Sequence, residues 1–265
     1  MNFDLIAERY VRDSLVQKSA AERLFTLLAI GGSDDVLDLG CGTGNLTVKI
    51  RGMTSGRVVG VDPAEGMIRQ AQINSAGLDI EYEIKRADQL NFTKDFDVIF
   101  CNSAFQWFND PTLAVKKCHK ALRTGGRVGI QAPARAVYSP NFISAVVEVA
   151  SDSNTREAFA TFRSPWFFLE SADDYKKLFT DADFDVPFAT IAEEKSLHPP
   201  DDILTIFKSG AAAGYLNPDC YGAPIDQCYC AAFLSIIQNA FIRQARDDGL
   251  VELLFNRIYL VGVRN

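Results

Sequence analysis

Histidine is nearly missing from this chain: there are two in 265 residues, His119 and His198. Imidazole titrates nearest neutral pH and is the commonest metal ligand, so chemistry that depends on it is confined to these two positions. His119 falls in a helical pattern and His198 precedes two prolines. No stretch approaches the roughly 18 consecutive apolar residues of a membrane span. The opening MNFDLIAERYVRD has acids and arginines where a signal peptide needs an apolar region. A cytoplasmic protein with no membrane partner is expected. Lysine runs are also lacking, and the net charge of −7 repels polyanions, which argues against nucleic acid as a partner. Six cysteines are scattered along the chain. Cys220, Cys228 and Cys230 cluster, but neither a CxxC pair nor a nearby histidine pair accompanies them, so they read as free thiols and no metal site is expected. There is no internal repeat or low-complexity tract.

What is present is ordinary globular composition, 48% hydrophobic and 23% charged, enough for one sizeable core. Residues 2–29 read as helix stopped by Gly31-Gly32. Asp35 to Leu39 is a short apolar run feeding into glycines, which suits a buried parallel strand and a tight turn. Arg57 to Val61 repeats that character and ends on Asp62-Pro63 ahead of a helix carrying Met67, Ile68 and Ala71. Ile80 to Ile84 and Phe96 to Cys101 are further strands, the latter apolar except at Asp97. Asp110 and Pro111 open a helix that Gly125-Gly126 is expected to close, before a strand over 127–132. Strands alternating with helices predict an α/β fold, a doubly wound and mainly parallel sheet.

Beyond Ala132 the rhythm changes. Residues 133–165 read as helical and aromatic-rich, Ser171 with Asp174 resembles a capping box, 184–197 holds a strand, and a long helical stretch runs to Gly249. A closing strand follows over 255–263.

The strongest chemical signal is Asp38-Leu39-Gly40-Cys41-Gly42-Thr43-Gly44 at the end of the first strand. Glycines there allow a sharp turn and bring backbone N–H groups close to a ligand at a helix N-terminus. In open α/β sheets, ligands bind at the carboxyl ends of the strands, near the point where strand order reverses. A dinucleotide fingerprint, G-x-G-x-x-G, would place its last glycine at Asn45; here the glycine arrives one residue early, at Gly44.

DVLDLGCGTG resembles the first motif of class I S-adenosylmethionine-dependent methyltransferases, and the likeness is specific over about residues 34–133. It implies a Rossmann-like, seven-stranded sheet with helical lid insertions and S-adenosylmethionine as cofactor. The single domain would have a helical cap over 1–33, a cofactor core over 34–133, and a lid with the last strands over 134–265. On that resemblance Asp38, Gly40, Cys41, Gly42 and Gly44 surround the methionine part, and Asp62, beside Pro63, accepts from both ribose hydroxyls, since one carboxylate has acceptors for two donors. Met67 packs on the adenine or belongs to the core. Asp88, after Ala87, accepts from the adenine amino group. Asn102-Ser103-Ala104 passes beside the methionine part and opens onto the substrate.

The stretch Cys101 to Pro111 resembles the corresponding segment of trans-aconitate methyltransferases and of malonyl carrier-protein methyltransferases, both of which act on carboxylates. That implies a small-molecule carboxylic acid or an acyl-carrier thioester as partner, with Gln106 and Trp107 as catalytic candidates; a C- or N-methyltransferase of a small metabolite and a non-catalytic cofactor-binding protein are the alternatives. Gln106 can donate to a carboxylate but cannot act as a general base. Trp107 and Phe108 have core packing as their alternative. Arg135 and Arg163 are candidates to hold an anion, and Tyr10 and Gln17 to close over the cofactor.

Overall fold

The computed structural model describes residues 15–265, with side chains from Ala20 onward. Tyr10 and the side chain of Gln17 lie outside the described residues. Helix α1 (Leu15–Leu28) precedes β1 (Val36–Leu39), α2 (Asn45–Arg51), β2 (Val58–Asp62), α3 (Glu65–Asn74), β3 (Glu81–Ile84), β4 (Phe96–Asn102), α4 (Pro111–Ala121) and β5 (Leu122–Pro133). The second half holds α5 (Pro140–Ser151), α6 (Arg156–Phe159), α7 (Ala172–Thr180), β6 (Phe184–His198), α8 (Pro200–Ser209), α9 (Ala212–Tyr215), α10 (Gln227–Arg243) and β7 (Val251–Arg264).

The strands form one seven-stranded sheet in the order β3-β2-β1-β4-β5-β7-β6. Strands β1 to β5 pair in parallel, and β7 runs antiparallel to β5, with Pro133 opposite Arg257. Strand order reverses between β1 and β4, so a crevice opens at their carboxyl ends. All four residues of β1 are buried, and Phe96, Val98, Ile99, Phe100 and Cys101 of β4 are 0% exposed. A central parallel strand is covered on both faces, which is why these runs are apolar rather than alternating.

Asp97, the exception in β4, is satisfied at its amino end, accepting from Asp35 N at 2.9 Å and pairing with Arg123 at 2.7 Å. Asp110 caps α4 by accepting from Leu113 N at 2.8 Å, and Ser171 caps α7 by accepting from Asp174 N at 3.1 Å.

The glycine pair 125–126 does not close α4. The helix ends at Ala121, where Arg264 Nη1 donates to the carbonyls of His119, Lys120 and Leu122. The pair lies inside β5, where the register on β4 jumps from Phe96↔Leu122 to Val98↔Arg127 and Gly125 takes φ 78°. A bulge needs a residue tolerant of positive φ as much as a helix end does. Of residues 133–165, only 140–151 and 156–159 are helical, and the closing strand begins earlier than expected, at Val251.

The chain divides into two compact units, a partition not announced by a sequence read as one domain with a lid. One comprises the described residues up to Ala136, Phe167–Ala192 and Arg257–Asn265; the other comprises Val137–Trp166 and Glu193–Asn256. The first carries the nucleotide-fold core, from Leu37 and Val59 through Ile99 and Ile130 to Ile258 and Leu260. The second has an aromatic interior: Phe142 packs on Phe207, Phe241 and Phe255 at 5.1–5.5 Å, and Trp166 meets Tyr215 at 4.8 Å. Phe142, with Phe207, Phe241 and Phe255, therefore builds the interior of this unit. Among the described residues, no helix is long and apolar enough to cross a membrane.

Candidate active site

The glycine loop sits at the carboxyl end of β1. Gly40 N and Cys41 N both donate to Val61 O of β2, at 2.8 and 3.0 Å, which folds the loop back over the sheet edge. Gly44 N closes the turn on Cys41 O at 3.0 Å, and Gly44 itself forms the N-cap of α2. Gly40, Gly42 and Gly44 have φ of 79°, 54° and 79°, the left-handed region that L side chains avoid. A Cβ on Gly44 would fall 2.7 Å from Tyr82 Oη and 2.9 Å from Ala71 Cβ, whereas one on Gly42 would meet nothing within 4 Å. The outer glycines are thus required by packing, and the middle one lines open space.

Two acids flank this loop. Asp62, half-buried at the end of β2, accepts from Gly42 N through Oδ2 (3.0 Å) and from Ala64 N through Oδ1 (2.9 Å). A carboxylate has about four acceptor positions, and these two bonds use one on each oxygen. Asp38 lies below the loop, 2% exposed, and accepts from Thr47 Oγ1 at 2.6 Å. Burial, with the nearby charge of Asp62 adding to it and the Thr47 bond opposing, pushes Asp38 up to about 7. Its proton is therefore held more tightly in the folded chain than in the unfolded one. This carboxyl leaves stability untouched below pH ~4 and removes it progressively as pH rises toward 7, by a few kcal/mol in all. Asp38→Asn keeps an acceptor for Thr47 and cannot ionise. Thermal melts should show the wild type losing stability between about pH 4 and pH 7 relative to this variant; parallel curves would show that Asp38 does not titrate in that window.

The remaining cofactor candidates occupy distinct settings. Met67 and Ala87 are buried at 3% and 8% exposure, Cys41 is 8% exposed, and Pro63 is exposed. Asp88 lies in a short 3-10 turn (Ala87–Gln89) and is held from both oxygens by Arg86, at 3.1 Å from Nε and 2.5 Å from Nη2.

After β4 the chain turns at Ser103, a non-glycine residue at φ 55°. Ser103 N donates to Gln131 O of β5 at 2.7 Å, and Gln106 Nε2 donates to Ser103 O at 2.9 Å. The sequence expectation has Gln106 donating to the acceptor molecule. Here its amide nitrogen holds the turn, the residue is 7% exposed, and its Oε1 is buried with no hydrogen-bond partner. Trp107, half-buried, ends the short 3-10 turn (Phe105–Trp107). Phe108 packs on Phe105 at 5.1 Å, which is the core alternative for that ring. Phe167 N donates to Gln106 O at 2.8 Å. Arg135 is exposed, with Nε directed to Glu170 O at 3.3 Å; Arg163 is exposed in the second unit.

Sequence patterning missed Thr47, Tyr82 and Gln131. Thr47 and Tyr82 carry no distinguishing neighbours. Gln131 had a signal, as the amide in the apolar run 128–132.

The residues fit S-adenosylmethionine by charge as well as by shape. Residues 40–48 contain no lysine or arginine to meet a diphosphate, while Asp62 gives the crevice a negative sign that suits a sulfonium. The comparisons agree. A methyltransferase-domain family model matches residues 36–126. A trans-aconitate 2-methyltransferase of Rhodopseudomonas palustris is 28% identical over 98% of this chain and 99% of its own. A malonyl-[acyl-carrier protein] O-methyltransferase of Acetivibrio thermocellus is 31% identical over 48% of this chain, which spans 46% of that enzyme's length. The YcgJ protein of Bacillus subtilis shares the fold at TM-score 0.62 and 14% identity, covering 94% of this chain and 99% of its own. With the glycine loop, an acid at the end of β2 and the reversed strand order in place, the chain carries an S-adenosylmethionine-dependent methyltransferase domain over residues 36–126.

Proposed function

We propose that this methyltransferase esterifies a carboxylate of a small organic acid. The carrying observation is the turn after β4: Asn102, Ser103, Gln106 and Trp107 are all unable to act as a base near neutral pH. The two histidines belong elsewhere in the chain. His119, on α4, stacks edge-on against Phe184 at 5.0 Å, and burial lowers its affinity for a proton; His198, at the end of β6, bonds Ser196 Oγ at 2.8 Å. An alcohol, phenol or carbon acid needs its proton removed, whereas a carboxylate is already anionic at neutral pH. The whole-length likeness to a trans-aconitate 2-methyltransferase supports the same reading, and the half-length likeness to the malonyl-carrier enzymes makes an acyl-carrier thioester the second reading. Against the latter, an acidic carrier would be drawn to a basic entrance, and this chain is acidic with no lysine run.

The cofactor supplies a methyl group on a sulfonium, an electrophile with a neutral thioether as leaving group. The chain's part is alignment. Gly40, Gly42 and Gly44 shape the loop, Asp38 braces it through Thr47, Asp62 supplies negative charge, and Asp62 and Asp88 accept from ribose and adenine. The turn from Asn102 to Trp107 sets the acceptor oxygen in line, with Trp107 as an apolar wall. Holding reactants in register supplies up to ~7–11 kcal/mol of barrier lowering without any proton transfer.

The test is labelled-methyl transfer to a panel of organic acids, trans-aconitate among them, with a malonyl carrier thioester and matched amines and phenols alongside. Base-labile label in the acids is expected, with kcat level between pH 6 and 9 once Asp38, which itself titrates near 7, is replaced by Asn. Label only in amines or carbon acids would defeat the proposal, as would a rising pH limb that betrays a base.

A further inference from the structure

We propose that a buried pair, Gln131 and Arg257, fixes the hydrogen-bond polarity of the acceptor turn, so that Asn102 and Ser103 present donors and the site selects an anionic acceptor. This rests on the carboxylate reading above and names the residues that would enforce it.

Gln131 on β5 is 0% exposed and Arg257 on β7 is 3% exposed, both unusual for their types inside a sheet. One orientation of the Gln131 amide gives its oxygen a donor and its nitrogen acceptors. In it, Oε1 accepts from Arg257 Nη1 at 3.0 Å, while Nε2 donates to Asn102 Oδ1 at 2.9 Å and Ser103 Oγ at 3.0 Å. The reverse orientation would aim an N–H group at a guanidinium, which has five donors and no acceptor. Arg257 thus decides which way Gln131 faces, and Gln131 decides which way the turn faces.

The consequence passes along the chain of bonds. Asn102 spends its oxygen on Gln131, and its amide nitrogen donates to Ser103 Oγ at 3.5 Å with one N–H left to offer. Ser103 Oγ receives an N–H from Gln131, so its own O–H is directed elsewhere. Asn102 and Ser103 are half-buried, unlike the pair behind them. The backbone is held in the same sense: Ser103 sits at φ 55° and donates its N–H to Gln131 O at 2.7 Å. Holding a non-glycine residue there costs about 1–3 kcal/mol and persists only where surroundings over-determine it. A turn offering O–H and N–H matches a carboxylate. It leaves an ammonium or another donor without partners.

The test compares wild type with Arg257→Lys, Arg257→Met and Gln131→Glu, all with cofactor affinity measured by calorimetry. Gln131→Glu keeps a partner for Arg257 but turns the inner group into an acceptor, which consumes the Ser103 O–H. It should raise KM for methylated acids at least tenfold while kcat stays within threefold and cofactor Kd within twofold. Arg257→Met should raise KM less, and Arg257→Lys, which still only donates, should restore most of the loss. An independent reading is the ¹⁵N side-chain amide signal of Gln131 in the cofactor-loaded protein: a shielded, slowly exchanging pair in wild type that moves in Arg257→Met and returns in Arg257→Lys. Unchanged KM for acids in Gln131→Glu overturns the inference and leaves the carboxylate reading intact. If wild type methylates no acid, the carboxylate reading falls, and so does the anion selection. The amide signal then decides the polarity claim alone: a Gln131 pair indifferent to Arg257 overturns it, and one that follows Arg257 supports it.

Discussion

Replacing Gly40 with alanine should lower the melting temperature on the order of 10 °C and reduce kcat/KM about a hundredfold. Two separate effects contribute. The residue has φ 79°, which for an L side chain costs roughly 1–2 kcal/mol. Its new Cβ would also fall 2.3 Å from Ala104 Cβ, well inside the contact distance of two methyl groups. Overpacking of this kind typically costs ~1–3 kcal/mol more, and each kcal/mol moves the midpoint of a chain near this size by about 2–4 °C. The functional loss follows from where the clash lies. Ala104 belongs to the acceptor turn, so relief must come from moving either the cofactor loop or the turn, and a shift near 1 Å can cost about 10²-fold in rate. Gly42→Ala is the control, since φ is 54° but nothing stands within 4 Å of the added methyl. It should show the dihedral cost alone, roughly 1–2 kcal/mol. Thermal melts and initial rates on both variants decide the matter; equal losses would mean that contact with Ala104 is irrelevant.

Substituting Asp62 with alanine should weaken S-adenosylmethionine binding by about 10²–10⁴-fold, from two lost hydrogen bonds to a charged acceptor at ~1.5–3 kcal/mol each. On the proposed reading the carboxylate acts twice: it ties Gly42 N of the loop and Ala64 N at the start of α3, and it accepts from the ribose. Asp62→Asn keeps one acceptor oxygen and should lose only about tenfold, near one such bond. Calorimetry with a cofactor analogue lacking one ribose hydroxyl separates the two functions. That analogue should bind wild type more weakly than the parent cofactor but bind Asp62→Ala equally well. A persistent preference for the parent in Asp62→Ala would remove Asp62 from the ribose. Asp88→Ala should matter less, because Arg86 already engages both of its oxygens.

Much of the site is legible without coordinates because it is encoded by near neighbours. The run Val36–Leu39 is apolar since it is buried on both faces, and glycines follow it since the chain must turn through positive φ at 40, 42 and 44. Asp62 could be found from its place after the second such strand. The turn polarity could not be read so directly. Gln106 has the composition of a substrate contact, yet its nitrogen is engaged by Ser103 O three residues back, a bond that depends on Ser103 entering the left-handed region. The glycine pair 125–126 misled for a related reason: a bulge and a helix end ask for the same residue, and only the register on β4 distinguishes them.

The sequence by itself therefore determined the sheet and the cofactor loop, where each requirement is met within a few residues along the chain. Tertiary structure decided the turn after β4. Ser103 is governed by Gln131, 28 residues on, and Gln131 by Arg257 on the antiparallel strand β7. A hydrogen bond between distant strands leaves no periodic or spacing signal in either. The direction in which a buried amide faces is fixed only once a guanidinium stands behind it.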